Sequence, residues 1–146
     1  DEPWELIGEG YGFTEGPVAT PTGKVFFNDL RHSKTYFIDV DDNVIEWMSD
    51  TQRSNGMAIG PDGRRYSLAA NAKEVWAFDN EGNKEVVATG IRGNDLVIDM
   101  NGNMYITEPV SNTSKRSDRS RIWLVRPNGE KQELDYGLKF ANGIAL

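Results

Sequence analysis

Apolar and polar positions alternate in short bursts along this chain, and no stretch repeats with the 3.6-residue period of a helix. The bursts "KVFFND", "KTYFID" and "NVIEWM" follow one another between residues 24 and 48. "RRYSLAA", "EVWAFD" and "KEVVAT" occupy the equivalent places between residues 64 and 89, and "NMYITEP", "RIWLVRP" and "EKQELD" do so between 103 and 135. β-Branched and aromatic residues dominate these runs, which suits half-buried pleated strands. A smaller, nearly continuous apolar run opens each group: "EGPVAT", "NGMAIG" and "NDLVID".

Turn residues punctuate the runs at a fixed interval. Gly23 of "PTGK", Gly63 of "PDGR" and Gly102 of "MNGN" lie 40 and then 39 residues apart. A second series, "DDNV" (Asp41–Val44), "NEGN" (Asn80–Asn83) and "PNGE" (Pro127–Glu130), interleaves with it. Asn and Gly tolerate the positive φ that tight hairpins require. Four strands per unit of about 40 residues predict β-propeller blades. A β-sandwich also has short strands, but nothing in it repeats the turn chemistry in register. The expected blades are 15–52, 53–91 and 92–138, with the first strand of a fourth at 139–146. Residues 1–14, through "WELIGEG" (Trp4–Gly10), read as a leading outer strand.

Aligning the units brings Glu15, Asn55, Asn94 and Asn142 into one column at the entrance of each inner strand, at intervals of 40, 39 and 48. In a ring, these side chains point toward the axis on one face. As a set of oxygen donors they suit a hard divalent cation; singly, each only makes the turn into its strand. Strand direction places the second-to-third connections on the same face: Leu30–Ser33, Asn71–Lys73 and the long Glu108–Ser120 loop. That loop is expected to be an extended excursion there and accounts for the 48-residue interval. His32, the one histidine, also falls on this face and is a further candidate.

Charge and composition narrow the chemistry. With a net charge of -7, the chain repels a phosphate backbone, and the basic cluster Lys115, Arg116, Arg119 and Arg121 lacks interleaved aromatics, so no nucleic-acid partner is expected. No membrane partner is expected either, since no apolar run approaches the length of a spanning helix. The absence of cysteine removes disulfides, thiolate zinc sites and thiol nucleophiles. No serine sits in a nucleophile elbow, and neither phosphate-binding glycine loops nor metal-binding histidine pairs occur.

The segments "GFTEGP", "NDL", "SNGMAIGPDG", "RGNDLVIDMNGNMYIT" and "ANGIAL" together resemble the regucalcin/gluconolactonase family of six-bladed, metal-dependent lactonases. Phosphotriesterases of the diisopropyl-fluorophosphatase type have a similar metal cage, and strictosidine-synthase-like proteins share the scaffold. The resemblance implies that Glu15 and Asn142 are metal ligands, that Asn94, counted with them, contacts metal or substrate according to subfamily, and that Arg92 contacts substrate; Asn55 matches no family ligand, and its channel position makes it a candidate substrate contact. It implies a divalent metal, calcium foremost, with zinc, magnesium or manganese as alternatives. The family's fourth ligand, an aspartate that also serves as base or nucleophile, has no counterpart here, so the catalytic residue is unassigned. The chain then corresponds to the N-terminal half of a propeller. The implied activity is metal-dependent hydrolysis of a sugar-type or other small lactone; the alternatives are phosphotriester hydrolysis and a non-catalytic calcium-binding propeller. The resemblance further leads to the expectation that the chain is inactive alone and associates with a complementary C-terminal half or with itself.

Overall fold

Alternating side chains and tight turns produce three four-stranded antiparallel sheets. The computed structural model describes residues 3–112, 115–116 and 119–146. The first sheet orders β1 (Thr14–Ala19), β2 (Val25–Asp29), β3 (Lys34–Ile38) and β4 (Val44–Ser49) from inside to outside. The second orders β5 (Ser54–Ile59), β6 (Arg65–Ala69), β7 (Glu74–Phe78) and β8 (Lys84–Thr89). In the third, β9 (Asp95–Ile98) and β10 (Met104–Glu108) are followed by β11 (Ser111–Asn112) and β12 (Lys115–Arg116), which pair with each other as a small hairpin. The sheet then resumes with β13 (Ser120–Val125) and β14 (Lys131–Leu138). Each sheet is one blade of a partial propeller, with β5 lying between β1 and β9 at the inner edge.

The turns are clasped by aspartates. Asp39 Oδ1 accepts hydrogen bonds from the amides of Asp41 and Asn43, both at 2.9 Å. Asp79 holds Glu81 and Asn83 in the same way, and Asp99 holds Asn101 and Asn103. The side chain of the asparagine four residues on donates back to each aspartate. These side chains satisfy turn amides that the ladders leave unpaired.

Blades two and three share the larger apolar core. Leu68, Val75, Ile91, Ile106 and Val125 are fully enclosed there, each contributing about 1.5–3 kcal/mol of transfer free energy. The contact between blades one and two is aromatic and carries a charge. Trp47 meets Phe78 edge-on at 4.9 Å, and the Arg65 guanidinium lies 3.9 Å from the ring centres of both Phe26 and Trp47. Arg65 is 8% exposed, and burial lowers its pKa to about 10. Val25, Arg65 and Met104 occupy the same place in their units, so a cation fills a position that is apolar in the other two blades.

Two expected strands do not form. Trp4–Gly10 and Asn142–Leu146 belong to no sheet. A strand exists only through ladder partners, and among the described residues no segment offers either of them one. Trp4 is accordingly fully exposed. The Glu108–Ser120 excursion is described only in part: residues 113–114 and 117–118 lie outside the described residues.

Packing at the inner edge is close enough to exclude a methyl group. A Cβ on Gly16, whose φ is +57°, would overlap the Asn55 carbonyl oxygen and press on the backbone of Gly56 and Met57. A Cβ on Gly63, at φ +79°, would meet nothing within 4 Å. Gly16→Ala is therefore expected to cost roughly 2–5 kcal/mol, combining left-handed strain with overpacking. Gly63→Ala is expected to cost about 1–2 kcal/mol from strain alone. Urea denaturation of both variants checks this, and equal losses would contradict the close approach of blades one and two.

Candidate active site

The site begins with the backbone of the entrance column. Asn28 Nδ2 donates to the Asn55 carbonyl at 2.6 Å, and the Gly56 amide donates to the Asn94 carbonyl at 2.8 Å. Thr107 Oγ1 donates to the Asn142 carbonyl at 2.5 Å. Each blade thus holds the entrance residue of the next by its main-chain oxygen. Asn28 is itself fully buried and is aimed by Thr35 Oγ1, which donates to its Oδ1 at 2.5 Å. Asp95 adds a further hold through Oδ2, which accepts from the Ile144 amide at 3.0 Å.

With the carbonyls engaged, three of the expected residues come together. Asn55, Arg92 and Asn94 line one cleft of about 150 Å³ with Leu30, Arg53 and Asn71. Pro109, at the base of the long loop, and Phe140 complete its walls. Residues from the second-to-third connections and from the strand entrances therefore share a face, as strand direction requires. Arg53 is the residue that sequence reading missed. A signal was present: Arg53 stands two residues before Asn55 and Arg92 two before Asn94, in "RSN" and "RGN".

Glu15 and Asn142 lie apart from that cleft. Glu15, half-buried and paired with Asn28 across β1 and β2, lines a separate cleft with Tyr11, Val25 and Phe27 on the other flank of blade one. Asn142 is exposed beside blade three. The donors Glu15, Asn94 and Asn142 are all oxygens, which suits calcium or magnesium rather than a soft metal. They supply one negative charge and half or fewer of the six to eight ligands calcium takes. Among the described residues no group of three or more His, Cys, Asp or Glu side chains could hold a metal ion.

His32 is not a free loop side chain. Its Nδ1 lies 2.7 Å from Oδ2 of Asp29, a carboxylate with no exposed surface. The same carboxylate accepts from the amides of Gly12, Phe13, Arg31 and His32. Burial by itself would raise the Asp29 pKa; hydrogen bonds from Gly12, the His32 ring and Phe13 outweigh it and hold the value at about 2. An ionised carboxylate only accepts, so Nδ1 carries a hydrogen and donates to Asp29.

The fold has known counterparts. A family model described as SMP-30/gluconolactonase/LRE-like region matches residues 13–146. The chain belongs to this family. A gluconolactonase of Zymomonas mobilis is 27% identical over 107 residues, covering 64% of this chain and 30% of that protein. A solved gluconolactonase from Xanthomonas campestris superposes with a TM-score of 0.76 at 17% identity, covering 89% of this chain and 50% of that one. A calcium-binding regucalcin from Agrobacterium tumefaciens does so at 0.72 and 14%, covering 92% and 47%. The chain spans about a third to a half of the length of these family relatives.

The Asp29 network predicts a pH dependence with a definite sign. Because the folded-state pKa lies below the ordinary value of about 3.9, its stabilisation is complete above about pH 4 and is lost as pH falls toward 2. Asp29→Asn is expected to cost about 1–3 kcal/mol at pH 7. The gap from the native chain should narrow between pH 4 and pH 2, measured by urea titration at each pH. A gap independent of pH would contradict the assignment.

Proposed function

We propose that this chain forms part of a metal-dependent lactonase of the gluconolactonase type. The observation that carries the reading is the gathering of Asn55, Arg92 and Asn94 in one small cleft on the strand-entrance face of a chain of this family. Arg92 and Asn55 bind and orient the ring oxygens of a lactone there. Glu15, Asn94 and Asn142 are the residues that would hold a divalent cation, calcium foremost. Bound there, such a cation supplies Lewis-acid polarisation of the lactone carbonyl. In the overall reaction the oxygen of water bonds to the carbonyl carbon, the ring C–O bond breaks, and a hydroxy acid forms with release of one proton. The proton-accepting aspartate that the resemblance implies has no counterpart in this sequence.

A second half of the ring fits the exposed surfaces. Ile7, Val25, Phe27, Ile38 and Val44 line a cleft of about 410 Å³ on the free flank of blade one. Leu134, Tyr136, Leu138 and Phe140 are exposed at the other end. Exposed apolar side chains at both ends support association, here with complementary C-terminal blades or with another copy of the chain.

Lactone hydrolysis is read by proton release at constant pH, with an organophosphate panel run beside it. This chain alone is expected to show no turnover, and the protein carrying all six blades is expected to hydrolyse small lactones with dependence on calcium. Turnover of phosphotriesters alone, or calcium binding without turnover, would overturn the reading. In the complete protein, Glu15→Gln is expected to weaken calcium binding roughly tenfold or more, because it removes the one anionic ligand assigned here. Calorimetry with calcium measures this; unchanged affinity would remove Glu15 from the ligand set.

A further inference from the structure

The residues two places before the entrance column form a second series: Phe13, Arg53, Arg92 and Phe140. Two arginines therefore hold equivalent positions in adjacent blades. Arg53, Arg92 and Phe140 line the same cleft. The cleft's other polar side chains are the amides of Asn55, Asn71 and Asn94, and no carboxylate is among its lining residues. Among the described residues neither guanidinium forms an ion pair: the recorded bonds of Arg53 and Arg92 run from their backbone amides, to Ser33 Oγ and Glu108 Oε1. In a chain of net charge -7, two arginines without an ion pair that share a cleft with three asparagines favour an anion there, with the nearby Glu108 carboxylate already engaged by the Arg92 amide and the Trp123 indole.

The backbone holds Arg53 in place at a cost. Gln52 and Arg53 both adopt left-handed conformations, with φ of 54° and 55°. For residues with a Cβ, this costs about 1–2 kcal/mol each. The segment is tied on both sides, by the Thr51 amide to the Ser33 carbonyl at 3.0 Å and by the Asn71 amide to the Gln52 carbonyl at 2.9 Å. The strained loop is thus fastened to the very turns that surround the cleft.

We propose that Arg53 and Arg92 form a clamp that selects substrates bearing an anionic group, a carboxylate or a phosphate, in addition to the bond that is cleaved. Arg92 was assigned a general substrate contact above; the clamp makes Arg53 its partner and gives the pair a charge specificity. The inference rests on the lactonase reading for its reaction but on the cleft alone for its binding. A planar guanidinium donates two parallel hydrogen bonds to such a group, and one arginine from each blade fixes its position across the cleft.

The test uses the complete protein with glucaro-1,4-lactone, which carries a free carboxylate, 6-phosphoglucono-1,5-lactone, and uncharged glucono-1,5-lactone. At least one charged lactone is expected to have the higher kcat/KM, and which one it is identifies the anion. Arg53→Met is expected to reduce that preference roughly tenfold to a hundredfold through KM, with Arg53→Lys retaining part of it. A neutral lactone turned over as well as both charged ones, or a preference untouched by Arg53→Met, overturns the clamp. Calorimetry with glucarate, 6-phosphogluconate and uncharged sorbitol separates the two readings if no lactone is hydrolysed. Arg53-dependent binding of an anion without turnover then keeps the clamp and rejects the lactonase, whereas no preference for either anion over sorbitol rejects the clamp.

Discussion

Each blade of this chain grips the next by one main-chain oxygen. The Asn55, Asn94 and Asn142 carbonyls accept from Asn28, Gly56 and Thr107 respectively, and the rest of the inner edge is arranged around those three bonds. Asn28 and Thr107 occupy the same place in their units, so the same device, a buried polar side chain reaching forward, serves two of the junctions. In blade two that place is Leu68, which is fully buried in apolar surroundings, and the Gly56 amide takes over. A buried donor left without its acceptor costs about 1–3 kcal/mol. The bonds therefore fix register between sheets that apolar packing alone would let slide.

The proposed function depends on the same bonds because they engage the column's main-chain carbonyls and not its side chains. An asparagine whose carbonyl is engaged sideways keeps its side-chain amide free for the cleft, which Asn55 and Asn94 both line. The loops that carry Arg53 and Arg92 lead directly into these held residues, so their positions follow from the interlock. Glu15 has no preceding blade among the described residues to hold it, and it lines the free flank beside Tyr11 and Phe27. Its place in the column comes from strand register, with Asn28 opposite it.

Much of this was readable in the chain. The 40- and 39-residue glycine spacing marks the repeat because each unit needs a positive-φ residue at the same hairpin, and Gly23, Gly63 and Gly102 all adopt one. What the pattern could not show was dependence on a ladder partner: Trp4–Gly10 has strand composition but pairs with no segment among the described residues. Arg65 was opaque for another reason, since its burial rests on Phe26, Trp47 and Phe78 from three different strands. The Asp29–His32 pair is local, yet nothing in its spacing says that four amides also converge on the carboxylate. Arg53 is marked by the repeat, two places before the column, but an arginine in a short loop has the same local pattern as any solvated surface cation.

The central proposal is that Glu15 and Asn142, which lie apart from the Asn94 cleft in this chain, meet Asn94 on one cation when the ring is closed. Under the proposed half-ring reading, a crystal structure of the six-bladed protein grown with calcium tests it most directly. The account predicts a single ion with the Glu15 carboxylate and the side-chain oxygens of Asn94 and Asn142 at about 2.3–2.6 Å, beside Asn55 and Arg92. Side chains of Glu15, Asn94 and Asn142 directed to different surfaces, with calcium bound elsewhere, would contradict it.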